Sequence, residues 1–453
     1  MKDRSDDRSD PSMTEQRFPV GAQWARRAER VIPGGLNSFS RYLGPPHGFA
    51  RASGAYVWDF DGNRYVDYHA AFGAIVLGHR DPDVDRAAAE GGDPVDLIGV
   101  GVTRPEVEVA ELVCEVIPSA DQMICCTSGS EATFHAVRLS RAITERRLIV
   151  KVQGGYHGWH DAVARNVISP PELAYGLDPM SAGILPENLA STLIAEFNDL
   201  TSLEELYARH PDQIAAVILE PIPHNVGALL PEPEYLEGLR KLTESEGSLL
   251  IFDEVITGFR HGLGGWQEIS GVQPDLTSFG KAMGNGYPVA GLAGKREHMQ
   301  QFNSAGGPVL LAGTFTGHPS GCAAAIATIT KLRDRDVFTR TAALGQRMRD
   351  GMTAIIDELG VPAVVRGYGS VWCTYFLDGK VRGYRDLMRN NDALYQQFHR
   401  RMTDRGFLML PMALKRNHIS FAHTESDIDA TLETSRDVLK ELAVNRGKPA
   451  RAS

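Results

Sequence analysis

Residues 249–281, LLIFDEVITGFRHGLGGWQEISGVQPDLTSFGK, decide the fold. The first four, Leu249-Leu250-Ile251-Phe252, read as a buried strand running into the carboxylate pair Asp253-Glu254. A second apolar run, 276–279, leads into Gly280-Lys281. Charges placed where short apolar strands stop are untypical of a packed core. In open parallel α/β sheets, ligands bind in the crevice outside the carboxyl ends of the strands. The stretch therefore delivers one acid and one lysine to the same sheet edge. Pyridoxal phosphate calls for this pair, because its aldehyde is held by a lysine and its ring nitrogen by a carboxylate. The plainer reading makes Asp253 the start of a turn and Lys281 a solvated lysine, so the rest of the chain must decide.

Outward from that stretch, strands alternate with helices. Strands are expected at 123–126, 148–152, 193–196 and 215–219, and helices at 105–116, 132–144 and 234–246. Such alternation implies a mostly parallel sheet in an α/β fold. Before it, residues 55–68 read as a hairpin around Asp61-Gly62-Asn63, a turn signal between two alternating strands. A short helix is expected at 24–31. After the sheet, an alanine-rich helix from Gly321 leads to an α+β tail with helices at 339–359, 386–405 and 425–442. Strands are expected in it near 370–377 and at 419–421. Residues 168–186 are rich in Pro, Gly and Ser and long for a plain connection, as functional lids often are.

At 453 residues the chain has room for about two or three domains. With 47 basic and 57 acidic residues the net charge is −10, against a nucleic-acid binder, which shows a basic excess or a basic face. No stretch approaches the length of an apolar membrane span. Residues 1–17 are polar and charged, without an apolar signal core, and are expected to be a disordered tail in which Met1 or Met13 could be the start. The five cysteines, 114, 125, 126, 322 and 373, are odd in number and include no CxxC, which points to a reducing cytoplasm.

Several pieces supplement the acid and lysine. Thr127-Ser128-Gly129-Ser130 lies between a strand and a helix, where backbone N–H groups and the helix dipole suit a phosphate. The same residues with Glu131 also read as a capping box. Tyr156, after a strand end, could stack on a flat ring or simply pack. Glu220 ends a strand as Asp253 does, as a cofactor-tuning acid or as a cap. Residues 313–317 form a hydroxyl and glycine cluster that alone is a turn. Arg41 could clamp a substrate carboxylate bidentately. His157, His160 and Asp161 suggest a metal hydrolase, although their spacing matches no HExxH pattern.

Together these pieces resemble the class III (omega) aminotransferases of PLP fold type I, in the glutamate-1-semialdehyde aminomutase-like branch. The matching motifs are PGGLNSFSR (33–41), TSGSEAT (127–133), GGYHGWHD (154–161), Glu220-Pro221, IFDEVITGFR (251–260), PDLTSFGK (274–281) and GTFTGHP (313–319), in family order. The resemblance implies a large domain, 81–330, with a seven-stranded mostly parallel sheet. It also implies a smaller domain built from both chain ends, 18–80 and 331–453. It implies Lys281 as the Schiff-base lysine and proton carrier, Asp253 as partner of the pyridinium nitrogen, and Val255 and Tyr156 on the two ring faces. Ser128, Gly129 and Ser130 become the phosphate cup, Glu220 a further cofactor contact, and Arg41 the holder of a substrate carboxylate. Thr314 is expected to reach the neighbouring subunit's phosphate, hence a homodimer with shared sites. The expected activity is transfer of an amino group between an amino acid, of omega, beta or aryl type, and a keto acid.

Two departures from the branch stand out. Aminomutases carry a glutamate in a stretch like FEAGFVSLAHT, whereas residues 413–424 here read ALKRNHISFAHT, with Lys415 in its place. His318 replaces the usual asparagine of GTxxGNP. The first departure changes the pocket charge and makes Lys415 a substrate-binding candidate. The alternative activity is internal amino transfer from glutamate-1-semialdehyde. A noncatalytic member of the fold would be expected to have lost Lys281, which this chain keeps.

Overall fold

The computed structural model describes residues 16–45, 48–91 and 95–446. The proposed tail, 1–17, lies outside them except for Gln16 and Arg17, which are helical, with Arg17 paired to Asp404. A helix, Pro19–Glu29, follows them. Three antiparallel strands follow, β1 (Phe49–Ser53), β2 (Tyr56–Asp59) and β3 (Arg64–Asp67), the last two forming the expected hairpin.

The large sheet has seven strands: β4 (Gln122–Cys126), β5 (Leu148–Val152), β6 (Thr192–Ala195), β7 (Ile214–Leu219), β8 (Leu249–Asp253), β9 (Leu276–Phe279) and β10 (Ala290–Gly294). Their order is β4-β10-β9-β8-β7-β5-β6, parallel except for β10, which runs against both neighbours. β7 and β8 are wholly buried, as continuous apolar strands covered on both faces must be. Their alternation divides two cores. Val217, Leu219, Leu250 and Phe252 pack on one side, and Ala216, Ile218, Leu249 and Ile251 on the other.

Toward the C-terminus, helices Val337–Leu359, Asp392–Asp404 and Glu425–Arg446 pack against a second antiparallel sheet. It consists of β11 (Val364–Tyr368) and β12 (Val371–Tyr375), with β14 (Asn417–His418) beyond them. β13 (Phe407–Leu408) pairs in parallel with β3, so residues near the two chain ends share one sheet.

Two local expectations are corrected, one strand had not been expected, and one loop is more fastened than its composition suggests. β10, AGLAG, escapes a reading based on strand propensity. Its glycines let it lie close between neighbours, since a Cβ on Gly291 would stand 2.7 Å from Met123 Cε. The strand expected at 419–421 forms two residues earlier. Ile419 and Phe421 instead donate their N–H groups to Ser370 and Val76 at 2.8 Å each. The helix expected over 386–405 is interrupted, because Asn391 caps a new start by accepting from Leu394 N at 3.0 Å. Residues 168–185, expected as a lid, form a long loop before the helix Pro186–Ala190, and the first half of that loop is fastened. Tyr384 Oη donates to Ser169 O (2.8 Å), Tyr175 N to Gln153 Oε1 (2.9 Å), and Arg165 to Gly176 O (2.7 Å).

Candidate active site

β4 and β9 both run against β10, so β4, β5, β7, β8 and β9 point their C-terminal ends to one edge. Each strand delivers part of the site there. β4 leads into Ser128, β5 into Tyr156 and His157, β7 into Glu220, β8 ends on Asp253, and β9 leads through Gly280 to Lys281.

Asp253 is buried and fully engaged. Oδ2 is 2.8 Å from His157 Nδ1, and Oδ1 accepts from Ser278 Oγ and Val255 N at 3.1 Å each. Those contacts fix the carboxylate at the strand end. Lys281 is half-buried and has φ 48°, a left-handed conformation that few non-glycine residues adopt and that recurs at functional sites. Burial, followed by the nearby Arg416 guanidinium, lowers its amine from 10.5 to about 8, against the opposing pull of Asp253 and Glu220.

Helix Gly129–Thr144 begins at this edge. Ser128 is its N-cap and accepts from Glu131 N at 3.3 Å, while Glu131 Oε2 accepts from Thr127 N at 2.7 Å. The N-cap half of the capping box therefore forms, while the Glu131 carboxylate bonds Thr127 and not the Ser128 N–H, and neither contact uses the first-turn N–H groups a phosphate would need. The first-turn N–H groups of Gly129 and Ser130 have no intrahelical acceptor and face the anion-attracting end of the helix. Gly129 is required by packing, since a Cβ there would lie 2.8 Å from both Val255 methyls.

Tyr156 is partly exposed at the edge. Its N–H donates to Glu220 Oε1 at 3.0 Å, and Asn225 N donates to Glu220 Oε2 at 3.2 Å. Burial raises the Glu220 carboxyl above its usual range. Lys415 is buried, and its Nζ donates to Asn225 O (2.8 Å) and to Asn225 Oδ1. Burial, then Arg416, takes it from 10.5 down to about 7.

Arg41 stands exposed on a 3-10 turn, Phe39–Arg41, with no hydrogen bond to the residues above. Thr314 is exposed beside Phe315, while its neighbour Gly313 lies against Glu131. Each residue of the metal reading has another partner, and among the described residues no group of three such side chains is gathered as a metal set. His157 bonds Asp253, His160 Nε2 lies 3.3 Å from Thr133 Oγ1, and Asp161 accepts from Asn188 at 3.0 Å.

Three features escaped sequence reading. His157 was weighed only as a metal ligand, and it is the partner of Asp253. Glu254, the second acid of the pair that ends β8, has no role readable from its position, yet it is fully buried and accepts from Thr257 Oγ1, Trp266 N, Gln267 N and Gln267 Nε2 at 2.6 to 3.2 Å. Arg260 and Arg416 are buried beside Lys281. Arg260 falls within a quoted motif and Arg416 adjoins Lys415, but burial of a charge has no one-dimensional signal.

These residues fit pyridoxal phosphate. A fixed buried acid, a half-buried amine of lowered pKa, a partly exposed tyrosine and a glycine-opened helix N-terminus occupy one sheet edge, as that cofactor needs. Comparison with known proteins agrees. The model of the family described as "Aminotransferase class-III" matches residues 43–438. A glutamate-1-semialdehyde 2,1-aminomutase of Desulforudis audaxviator is 40% identical over 94% of this chain and 99% of its own. An omega-transaminase structure from Sphaerobacter thermophilus superposes with TM-score 0.88 at 32% identity, over 94% of this chain and 99% of that one. A glutamate-1-semialdehyde aminomutase structure from Pseudomonas aeruginosa, in complex with PMP, gives 0.86 at 26%, over 95% and 96%. The chain thus belongs to the class-III aminotransferases, the pyridoxal-phosphate-dependent family to which its sheet-edge acid and lysine pointed.

Proposed function

We propose that this enzyme moves an amino group between two separate molecules, from an amino acid to a keto acid. The observation that carries the reading is Lys415, a buried cation where the aminomutase pattern has a glutamate. The charge reversal alters what the pocket beside Lys281 can hold. The named relative at 40% identity supports the other reading, internal amino transfer within glutamate-1-semialdehyde.

Pyridoxal phosphate supplies the electron sink that lets an amine-bearing carbon lose a proton. Ser128, Gly129 and Ser130 would hold its phosphate, Tyr156 and Val255 its two ring faces, and Asp253 its ring nitrogen. His157 and Ser278 keep Asp253 in place for that role. Lys281 Nζ, neutral above about pH 8, would take the proton from the amine-bearing carbon of the substrate and hand it on to the cofactor side, so that the carbon leaves as a carbonyl. Glu220 fixes the backbone of Tyr156. Arg41 is proposed for a substrate carboxylate, although it stands on an exposed turn.

We also propose a homodimer, with Thr314 reaching the neighbouring site. Its support is the exposure of Thr314, Phe315 and Leu310. Five unpaired cysteines support a reducing compartment.

The deciding experiment gives purified holoenzyme glutamate-1-semialdehyde alone, and separately a panel of amino acids with and without a keto acid. The proposal expects no turnover unless a keto acid is present. Sustained turnover of the aminoaldehyde alone, with no keto-acid dependence for any donor, would overturn it in favour of internal transfer.

A further inference from the structure

Thr133 stands where the two halves of the proposed cofactor site meet. It lies in the second turn of helix Gly129–Thr144, just past the phosphate cup, and it is wholly buried. Its Oγ1 has three polar neighbours: Ser130 O at 3.1 Å, His160 Nε2 at 3.3 Å and, closest, His157 O. Two of these are carbonyls, which only accept. The hydroxyl has one proton, and a carbonyl takes it, since otherwise two carbonyl oxygens would face the hydroxyl's lone pairs. The His160 imidazole is therefore a donor, with a proton on Nε2. Burial, then His157, lowers this imidazole to about 4, so the ring is neutral and its Nδ1 is bare. That nitrogen is buried without a partner among the described residues.

The segment that these bonds hold is a loop. After β5, residues 153–161 form no helix or strand, yet they carry Tyr156 and His157. Tyr156 is fixed through its N–H by Glu220 at 3.0 Å. His157 is fixed at Nδ1 by Asp253 at 2.8 Å, and its Nε2 is buried with no partner among the described residues. The place of the ring is thus set by its backbone, and Thr133 holds that backbone at the carbonyl. Gly158 follows with φ 112°, and a Cβ there would lie 2.8 Å from both Ser130 Cα and Ser130 Oγ. The loop is accordingly seated on the first turn of the helix whose N–H groups suit a phosphate. A buried carbonyl or ring N–H deprived of its partner costs more than the bond itself contributes. Loss of one hydroxyl therefore strains the loop or moves it.

We infer that Thr133, with His160 donating to it, is a positioning residue that ties the phosphate cup to the His157–Asp253 pair and so seats both ends of pyridoxal phosphate at once. On one side its helix begins with Ser128, Gly129 and Ser130. On the other, the carbonyl it holds belongs to the residue whose imidazole holds Asp253 Oδ2. Thr133 and His160 act through these groups without touching the cofactor. In metal sites, residues that orient the ligands change affinity by about 10- to 100-fold when lost, and the same need for preorganisation applies here. The inference rests on the cofactor placement proposed above.

The test uses holoenzyme of Thr133→Val, which keeps the shape and removes the hydroxyl, and of Thr133→Ser, which restores it. Two quantities are measured: cofactor release into cofactor-free buffer, and visible circular dichroism of the bound cofactor. The second reports how the ring is seated and needs no turnover. Thr133→Val is expected to release the cofactor about tenfold faster or more and to change the visible signal. Thr133→Ser should stay within about threefold of wild type. His160→Gln, which keeps a donor in place of Nε2, should resemble wild type, and His160→Leu should resemble Thr133→Val. If Thr133→Val does not fold, the His160 pair decides alone. Asp253→Asn, run beside them, separates this inference from the placement on which it rests. If Asp253→Asn changes release and the visible signal while Thr133→Val and His160→Leu change neither, the inference is overturned and the placement stands. If Asp253→Asn also changes neither, the placement fails and the inference with it. A Thr133→Val enzyme that loses thermal stability equally with and without cofactor, at an unchanged visible signal, would make Thr133 a purely structural residue and overturn the inference as well.

Discussion

Replacing Lys415 by methionine should erase a specific part of the pH dependence of stability. In the native protein the amine lies at about 7, against 10.5 for an ordinary lysine, with burial as the main cause and Arg416 next. At ~1.4 kcal/mol per tenfold change in proton affinity, that corresponds to roughly 5 kcal/mol when the group is charged. The unfolded chain binds this proton more tightly than the native one, so stability rises with pH between the two values. The cost is fully present below pH 7 and fades as pH climbs toward 10.5. Between pH 7 and pH 9 the relief amounts to roughly 2 kcal/mol. Lys281 contributes with the same sign and is present in both proteins, so all of it except its repulsion with Lys415 cancels in the difference. Loss of the bonds to Asn225 changes the variant's stability at every pH, and it cancels too. Urea unfolding of wild type and Lys415→Met at pH 7 and pH 9 gives the needed double difference. Wild type should gain about 2 kcal/mol more than the variant on going to pH 9. Equal gains, within about 0.5 kcal/mol, would refute the claim that burial and Arg416 outweigh the pull of Glu220 on this lysine.

The remaining predictions concern the sheet edge. With Lys281 at about 8, its neutral fraction rises about tenfold from pH 7 to pH 9, and capture of pyridoxal phosphate by cofactor-free protein, followed by absorbance, should quicken in proportion; a flat rate would dismiss the lowered amine. Asp253→Asn should keep the fold by circular dichroism yet cut kcat on the order of 10²–10⁴, while a loss below threefold would remove Asp253 from the chemistry. In Gly129→Ala the new methyl would lie 2.8 Å from the Val255 methyls, costing about 1–3 kcal/mol by overpacking. Adding Val255→Ala should recover part of that cost, and purely additive thermal shifts would show that the two residues are not in contact.

What was legible in the sequence follows from what leaves a linear trace. β7 and β8 are uninterrupted apolar runs because both faces are covered, and the strand-to-site junctions are legible because an acid or a lysine stops each run. β10 left little trace, since its position depends on glycines that admit Met123 and Ile124 and not on branched side chains. The second half of the site is hidden for a related reason. Arg260, Arg416 and Lys415 resemble any surface cations along the chain; only the meeting of the 69–73 turn, the β7 exit and the segment 415–418 buries them. The turn itself, HAAFG, has a single glycine to hint at four positive φ values, and the remaining strain is imposed by the two arginines it binds. Cofactor chemistry is therefore written where strands end, in local motifs. The proposed substrate pocket lies where three distant segments converge, and there the sequence itself departs from the aminomutase pattern, with lysine for glutamate at 415, while Asp253 and Lys281 are kept.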